Sequence, residues 1–174
     1  MTTMLPKKAQ HKTSFGAECL YFSNSDGTGW KVYREKDTAL KAWATQLYFH
    51  RYGMAAFIYS NVIPISIEVD NLESLCPART VAVYFGFLTE EVRTDKPQDN
   101  LTDITNLLYE AVPLLLKQLQ RMNNTQQEFD LYSSNIGISN DSNSFVIIDF
   151  GSHFYRGLSQ SIQEKIGIII KNNS

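Results

Sequence analysis

Three oxygen-bearing side chains in the last third of the chain are spaced as if to work together. Asp130 opens the run D-L-Y-S-S-N that ends at Asn135, and fourteen residues later Asp149 closes the apolar run Phe145-Val146-Ile147-Ile148 just before Phe150-Gly151. Two short apolar segments, NIGI and FVII, flank the polar turn SNDSNS, which is the pattern of a β-hairpin. Antiparallel pairing brings Asn135, at the start of the first strand, beside Asp149, at the end of the second, and leaves Asp130 on the loop entering the hairpin. Such a set of carboxylate and amide oxygens suits Mg²⁺, a hard cation that takes one or two protein groups and completes its shell with water and phosphate oxygens. Phosphoryl transfer also needs a carboxylate to orient the attacking hydroxyl and a cation on the phosphates, because its catalysis is mostly positioning and charge stabilisation. Asp130 supplies the first, and Lys31 is the best-placed cation.

The elements around these residues read as α+β. AECLYF (17–22) and WKVY (30–33), joined by the turn SNSDGTG, form a hairpin with Lys31 on its second strand. Asp37 or Thr38 caps a helix running to about Tyr52, with Leu40, Trp43, Leu47 and Phe49 or His50 as its apolar stripe and Gly53 as its stop. AAFIYSNVI, ISIEV and TVAVYFGFL read as extended segments or strands, and the cluster Pro97-Gln98-Asp99-Asn100 breaks the pattern. From Thr102 to Met122, Ile104, Leu107, Leu108, Ala111, Leu115 and Leu119 recur near the helical period, with Pro113 expected to kink the helix or divide it. A last helix is expected over Leu158–Lys171.

With 174 residues the chain is one domain or two small lobes, long enough for a real core. A net charge of −2 gives no global field toward nucleic acid or an anionic membrane, so an anionic ligand must be bound locally. The longest apolar runs, Val112–Leu116 and Ile166–Ile170, fall far short of the roughly 20 residues that span a bilayer. Residues 1–14 lack an apolar stretch after their basic residues and read as a flexible tail. Cys19 and Cys76 belong to no metal-type spacing and fit free thiols in a cytoplasmic protein.

Together these residues carry a resemblance. DLYSSNIG followed by VIIDFG resembles the catalytic loop D-x-x-x-x-N and the metal-binding D-F-G of the protein kinase-like fold, and the combination is far more specific than either part. The likeness extends in order over about residues 15–155. Phe15-Gly16-Ala17-Glu18 to Tyr21 resembles a reduced glycine-rich strand-turn-strand over the phosphates, and Gly29-Trp30-Lys31-Val32-Tyr33 the strand with the phosphate-binding lysine. The helix over 38–52 falls where such folds place their regulatory helix, and Val83 to Glu90 resembles the last strand and hinge. Small bacterial and phage-encoded kinase-like proteins are the nearest type.

The resemblance implies a minimal two-lobed fold: a β-rich N-lobe with one helix over 15–90 and a small, mostly helical C-lobe with a catalytic-loop hairpin over 91–174. It implies ATP and Mg²⁺ as cofactors, Asp130 as the catalytic aspartate, Asn135 and Asp149 as metal ligands, and Lys31, Gln46, Gly16, Thr89 and Glu90 around the nucleotide, the last two through hinge backbone that pairs with adenine. Three departures stand out. Gln46 replaces the glutamate expected opposite Lys31, so the charge-assisted term is lost and Lys31 is held less firmly. Glu128-Phe129 stands where many kinases have His-Arg, which argues against an arginine-read phosphosite. Only 23 residues follow Gly151, too few for a full substrate lobe.

The expected activity is phosphoryl transfer to a serine or threonine of a protein; the alternatives are a kinase-like module that binds and regulates a partner protein without turnover, and a small-molecule kinase. Apolar surface left by the short C-lobe would be covered by the last helix or by a second copy in a homodimer.

Overall fold

The computed structural model describes residues 3–4, 13–15, 18–70, 79–94, 101–126 and 129–173. Among the described residues, eight strands and four α-helices follow one another, with a 3-10 turn at Ser133–Asn135: β1 Thr3–Met4, β2 Thr13–Phe15, β3 Leu20–Ser23, β4 Thr28–Tyr33, α1 Lys36–His50, β5 Ile63–Asp70, β6 Arg79–Glu90, α2 Leu101–Asn123, β7 Ile136–Ile138, β8 Phe145–Ile147, α3 Ser152–Arg156 and α4 Gln160–Lys171. The first six strands form one sheet in the order β1-β5-β6-β4-β3-β2, antiparallel except for the β1–β5 pair, and β7 and β8 form a separate hairpin. The architecture is α+β.

Of the segment 1–14, only Thr3, Met4, Thr13 and Ser14 are described. Thr3 and Met4 lie beside Ile65 and Ser66, and Thr13 to Phe15 pair with β3, so the sheet gains a strand at each edge. The expected hairpin of β3 and β4 is present, its turn closed by Asp26 Oδ1, which accepts from the Thr28 amide (3.0 Å) and hydroxyl (2.7 Å).

Helix α1 is the hub. It starts at Lys36 rather than after Asp37 or Thr38; the preceding Glu35 makes no side-chain cap, and Asp37 lies in the first turn, where a carboxylate complements the helix dipole. Its end follows expectation: Gly53, at φ +68°, donates to His50 carbonyl (2.9 Å), while Met54 donates to Phe49 carbonyl (3.1 Å). That paired closure needs the left-handed conformation glycine adopts without strain. Burial extends around most of α1, from Ala39 and Leu40 to Gln46, Tyr48 and Phe49, because it packs on β4 and β6 on one side and on α3 and α4 on the other.

One hydrophobic core therefore joins both halves of the chain, running from Tyr33 and Phe87 under the sheet through Trp43 and Phe49 to Leu115, Leu119, Ile136, Ile147 and Ile166. A smaller cluster of Phe22, Val32 and Ile65 fills the other face of the sheet. Helix α2 runs through Pro113 without dividing. The proline lies on the exposed side, where the Tyr109 carbonyl that loses its donor can turn to water, while Leu108, Ala111, Leu115 and Leu119 face inward. The expected last helix is α4, which starts two residues after Leu158, lays Ile162, Ile166 and Ile169 against the core and covers α1; the short α3 ahead of it has no counterpart in the sequence reading.

Ile166 is fully buried and Ile168, two residues on, is 57 % exposed. Ile166→Ala should lower unfolding free energy by about 2–5 kcal/mol and Ile168→Ala by less than about 0.5 kcal/mol in urea titrations. Equal effects would mean that α4 does not seal the core in this way.

Candidate functional site

Strand alternation sets the site. Val32 of β4 faces the smaller cluster, so Lys31 and Tyr33 face α1, and Tyr33 stacks on Phe87 with ring centroids 6.3 Å apart. From there the Lys31 ammonium donates to Gln46 Oε1 (2.8 Å) and to the Ile148 carbonyl (2.5 Å), with the Phe150 ring centroid 5.8 Å away. Burial lowers its pKa, opposed by its charge interactions with Cys19 and Asp149. Strand, helix and the turn after β8 thus meet on one charged nitrogen.

Gln46 does not hold Lys31 loosely. Fully buried, it accepts from the ammonium through Oε1 and donates through Nε2 to the Ala56 carbonyl (3.0 Å) and to Thr89 Oγ1 (2.7 Å). Thr89 in turn donates its hydroxyl to the Phe57 carbonyl (2.7 Å). A glutamate could accept from Lys31 but has nothing to donate to the Ala56 carbonyl, so the amide is the side chain that satisfies every partner here.

The hairpin brings its residues together as its register requires. Ile136 lies opposite Ile147, and Ile148 donates its amide to the Asn135 carbonyl (3.0 Å), which sets Asn135 beside the residue preceding Asp149. Asn135 Nδ2 donates to the Asp130 carbonyl (2.9 Å), bracing the loop and leaving the amide oxygen for another partner. Asp149 Oδ1 accepts from the Gly151 amide (2.9 Å), and both Asp130 and Asp149 are exposed. Behind them Phe150 is buried, stacked on Phe49 (5.8 Å) and edge-on to Phe154 (5.1 Å), so the carboxylate sits on a turn anchored by aromatic packing.

Thr89 and Glu90 take a different place from the one expected of a hinge. β4 covers one edge of β6 here, pairing Gly29 with Thr89 and Thr28 with Glu90. Beyond the start of β5 the segment 57–60 covers the other edge: Tyr59 donates to the Leu88 carbonyl and Glu90 to the Phe57 carbonyl, each at 2.9 Å. The Leu88 carbonyl and the Glu90 amide are thereby engaged within the fold. The buried Glu90 side chain is a clamp. Its Oε1 accepts from Ser139 Oγ (2.8 Å) and from the amides of Asn140 (2.7 Å) and Asp141 (3.3 Å), and its Oε2 from the Phe57 amide (3.2 Å). Burial alone would raise its pKa, but these hydrogen bonds together hold it below the usual carboxylate value. The only signal for this role in the sequence is a carboxylate following the apolar run TVAVYFGFL.

Gly16 and Glu128 lie outside the described residues. Glu18 is described, and its Oε2 accepts from the Ser152 amide at 2.8 Å, a contact that sequence spacing does not suggest. Among the described residues no group of three or more His, Cys, Asp or Glu side chains gathers as a metal cluster, and no helix is long and apolar enough to cross a membrane. No protein-family model matches the chain, and no curated protein matches its sequence.

Gln46→Glu should lower stability by about 1–3 kcal/mol in chemical denaturation, although it restores a charged partner to Lys31, because the Ala56 carbonyl loses its donor. A stability equal to the parent would show that the amide is not required. For Glu90, the unfolded chain binds more protons than the folded one as pH falls below its ordinary 4.5. Stability from this group is therefore present above that value and lost as pH falls through the lowered one. Glu90→Gln should cost about 1–3 kcal/mol at pH 7, with a deficit that shrinks through this acid window; a deficit independent of pH would contradict the assignment.

Proposed function

We propose that the chain is a minimal kinase-like phosphotransferase, using ATP and Mg²⁺ to phosphorylate a hydroxyl, most simply of a protein serine or threonine. The observation that carries this reading is the Lys31 ammonium, bound at once to the helix residue Gln46 and to the carbonyl preceding Asp149. That contact joins the lysine strand, the helix and the D-F-G turn, three parts that the resemblance identifies separately in the sequence. The strand order agrees with it, since β2 and β3 stand for the reduced glycine-rich hairpin, β4 for the lysine strand and β6 for the last strand of the N-lobe.

The residues fit the cofactors in their donor chemistry. Asp149 is exposed with one oxygen engaged by Gly151, and Asn135 commits its NH₂ to the loop and keeps its amide oxygen, a carboxylate and an amide oxygen of the kind Mg²⁺ takes together with phosphates. When bound, Mg²⁺ and ATP supply the phosphoryl group and neutralise its charge. Asp130 orients the acceptor hydroxyl by accepting its proton's hydrogen bond, from a loop that Asn135 holds in shape. Lys31 provides fixed positive charge beside the turn.

A second reading, a kinase-like module that engages a partner without turnover, is favoured by one observation: β6 is paired along both edges at Thr89 and Glu90, where the resemblance would seat adenine.

Mg²⁺-ATP at 100 times its Kd should stabilise the protein by about 2.7 kcal/mol in thermal melts. Lys31→Met and Asp149→Ala should abolish that gain. Transfer of radiolabelled phosphate to a protein in a cell extract should fall at least about 100-fold in Asp130→Ala, with nucleotide stabilisation retained. Stabilisation without labelling, or no stabilisation at millimolar nucleotide, overturns the phosphotransferase and favours the binding module.

A further inference from the structure

We infer that the cleft between α1 and α3 is a binding site for a small tetrahedral oxyanion, either inorganic phosphate or the phosphate of a small phosphomonoester. Its walls come from two helix faces. Thr38, Lys41 and Ala42 stand at positions i, i+3 and i+4 of α1, and Ser152, Tyr155 and Arg156 stand at the same spacing on α3, so each trio shares one face of its helix. The two helices pack against each other, and both trios line one cleft. Each face therefore offers a hydroxyl and, one turn on, a cation.

Charge, donors and size select the ligand. The lining carries two cationic side chains, Lys41 and Arg156, and no acidic one. Among the described residues neither cation meets a carboxylate, and neither the Thr38 nor the Ser152 hydroxyl has a hydrogen-bond partner. The Lys41 ammonium lies 6.0 Å from the centroid of the Tyr155 ring, the outer limit of a cation–π contact, so it is weakly held and free to turn to a ligand. An ammonium, a guanidinium and two hydroxyls can all donate, which matches an ion whose oxygens accept on every side. The Ser152 amide is not among these donors, because Glu18 Oε2 already accepts from it at 2.8 Å. The free space of about 80 Å³ is several times the ~10–15 Å³ that one water needs, enough for an ion of a few heavy atoms. Lys31, Asp130, Asn135 and Asp149 do not line the cleft, so the site does not rest on the phosphotransferase reading. An ion held there would join α1, which carries Gln46, to the segment that follows Asp149.

Both cations stand at exposed positions, so binding should be modest and sensitive to salt, and the test is made at constant ionic strength balanced with chloride. Inorganic phosphate, without metal or nucleotide, should raise the melting temperature saturably and shift the amide NMR signals of residues 38–42 and 151–156. Lys41→Gln and Arg156→Gln should each weaken binding about fivefold or more, and the double variant should lose both responses. Without phosphate the variants should melt no lower than the parent, because neither side chain has a charged partner to lose. Phosphate also stabilises proteins by exclusion from their surface, an effect that does not saturate and that the double variant would keep. A response of that kind alone in the parent overturns the site. Saturable binding undiminished in the double variant overturns it as well, since the ion would then be held elsewhere, at Lys31 for example. Glycerol 3-phosphate in place of inorganic phosphate separates the two sources: binding at least as tight assigns a phosphomonoester, and weaker binding assigns the free ion.

Discussion

A lysine ammonium enclosed by protein loses most of its water, and the structure around it must return hydrogen bonds or bear the cost of an uncompensated charge. Lys31 receives two, from Gln46 on α1 and from the carbonyl of Ile148 at the end of β8. These acceptors come from opposite halves of the chain. The ammonium can be satisfied by both acceptors only when the sheet, α1 and the β7–β8 hairpin are docked in one arrangement, so a single charge ties the geometry of the candidate site to the integrity of the fold.

The surroundings extend that constraint outward. Gln46 passes it to Ala56 and Thr89, and Thr89 to Phe57, so the helix is registered against the extended segment that covers β6. Glu90 does the same for the turn between β7 and β8, clamping Ser139, Asn140 and Asp141 to the end of β6. The aromatic stack of Phe49, Phe150 and Phe154 supplies the apolar counterpart, fixing the turn that carries Asp149 against the far side of α1. Helix α4, packed along α1, closes the core with Ile162, Ile166 and Ile169.

Elements with strong local patterns are legible in the amino-acid sequence. The β7–β8 hairpin follows from two apolar runs about a polar turn, and it carries Asn135 to the residue before Asp149 as the register demands. The end of α1 at Gly53 and the long α2 follow from turn chemistry and helical period. The short helix α3 is not legible, because five residues are too few to show a helical period, and the edge strands β1 and β2 are too short to show a pattern. Order along the chain points Thr89 and Glu90 to a hinge; what they do depends on the segment 57–60 lying across the free edge of β6, a pairing between residues about thirty apart that no local signal encodes.

The amino-acid sequence by itself determined the α+β order of elements, the hairpin, and the pairing that sets Asn135 beside Ile148, since these depend on turn residues, periodicity and short-range register. Tertiary structure alone decided why position 46 is an amide, that Glu90 is a buried clamp, and that Glu18 reaches Ser152. Each of those outcomes turns on which polar groups are left needing a partner once distant segments pack, and that need exists only in the folded chain.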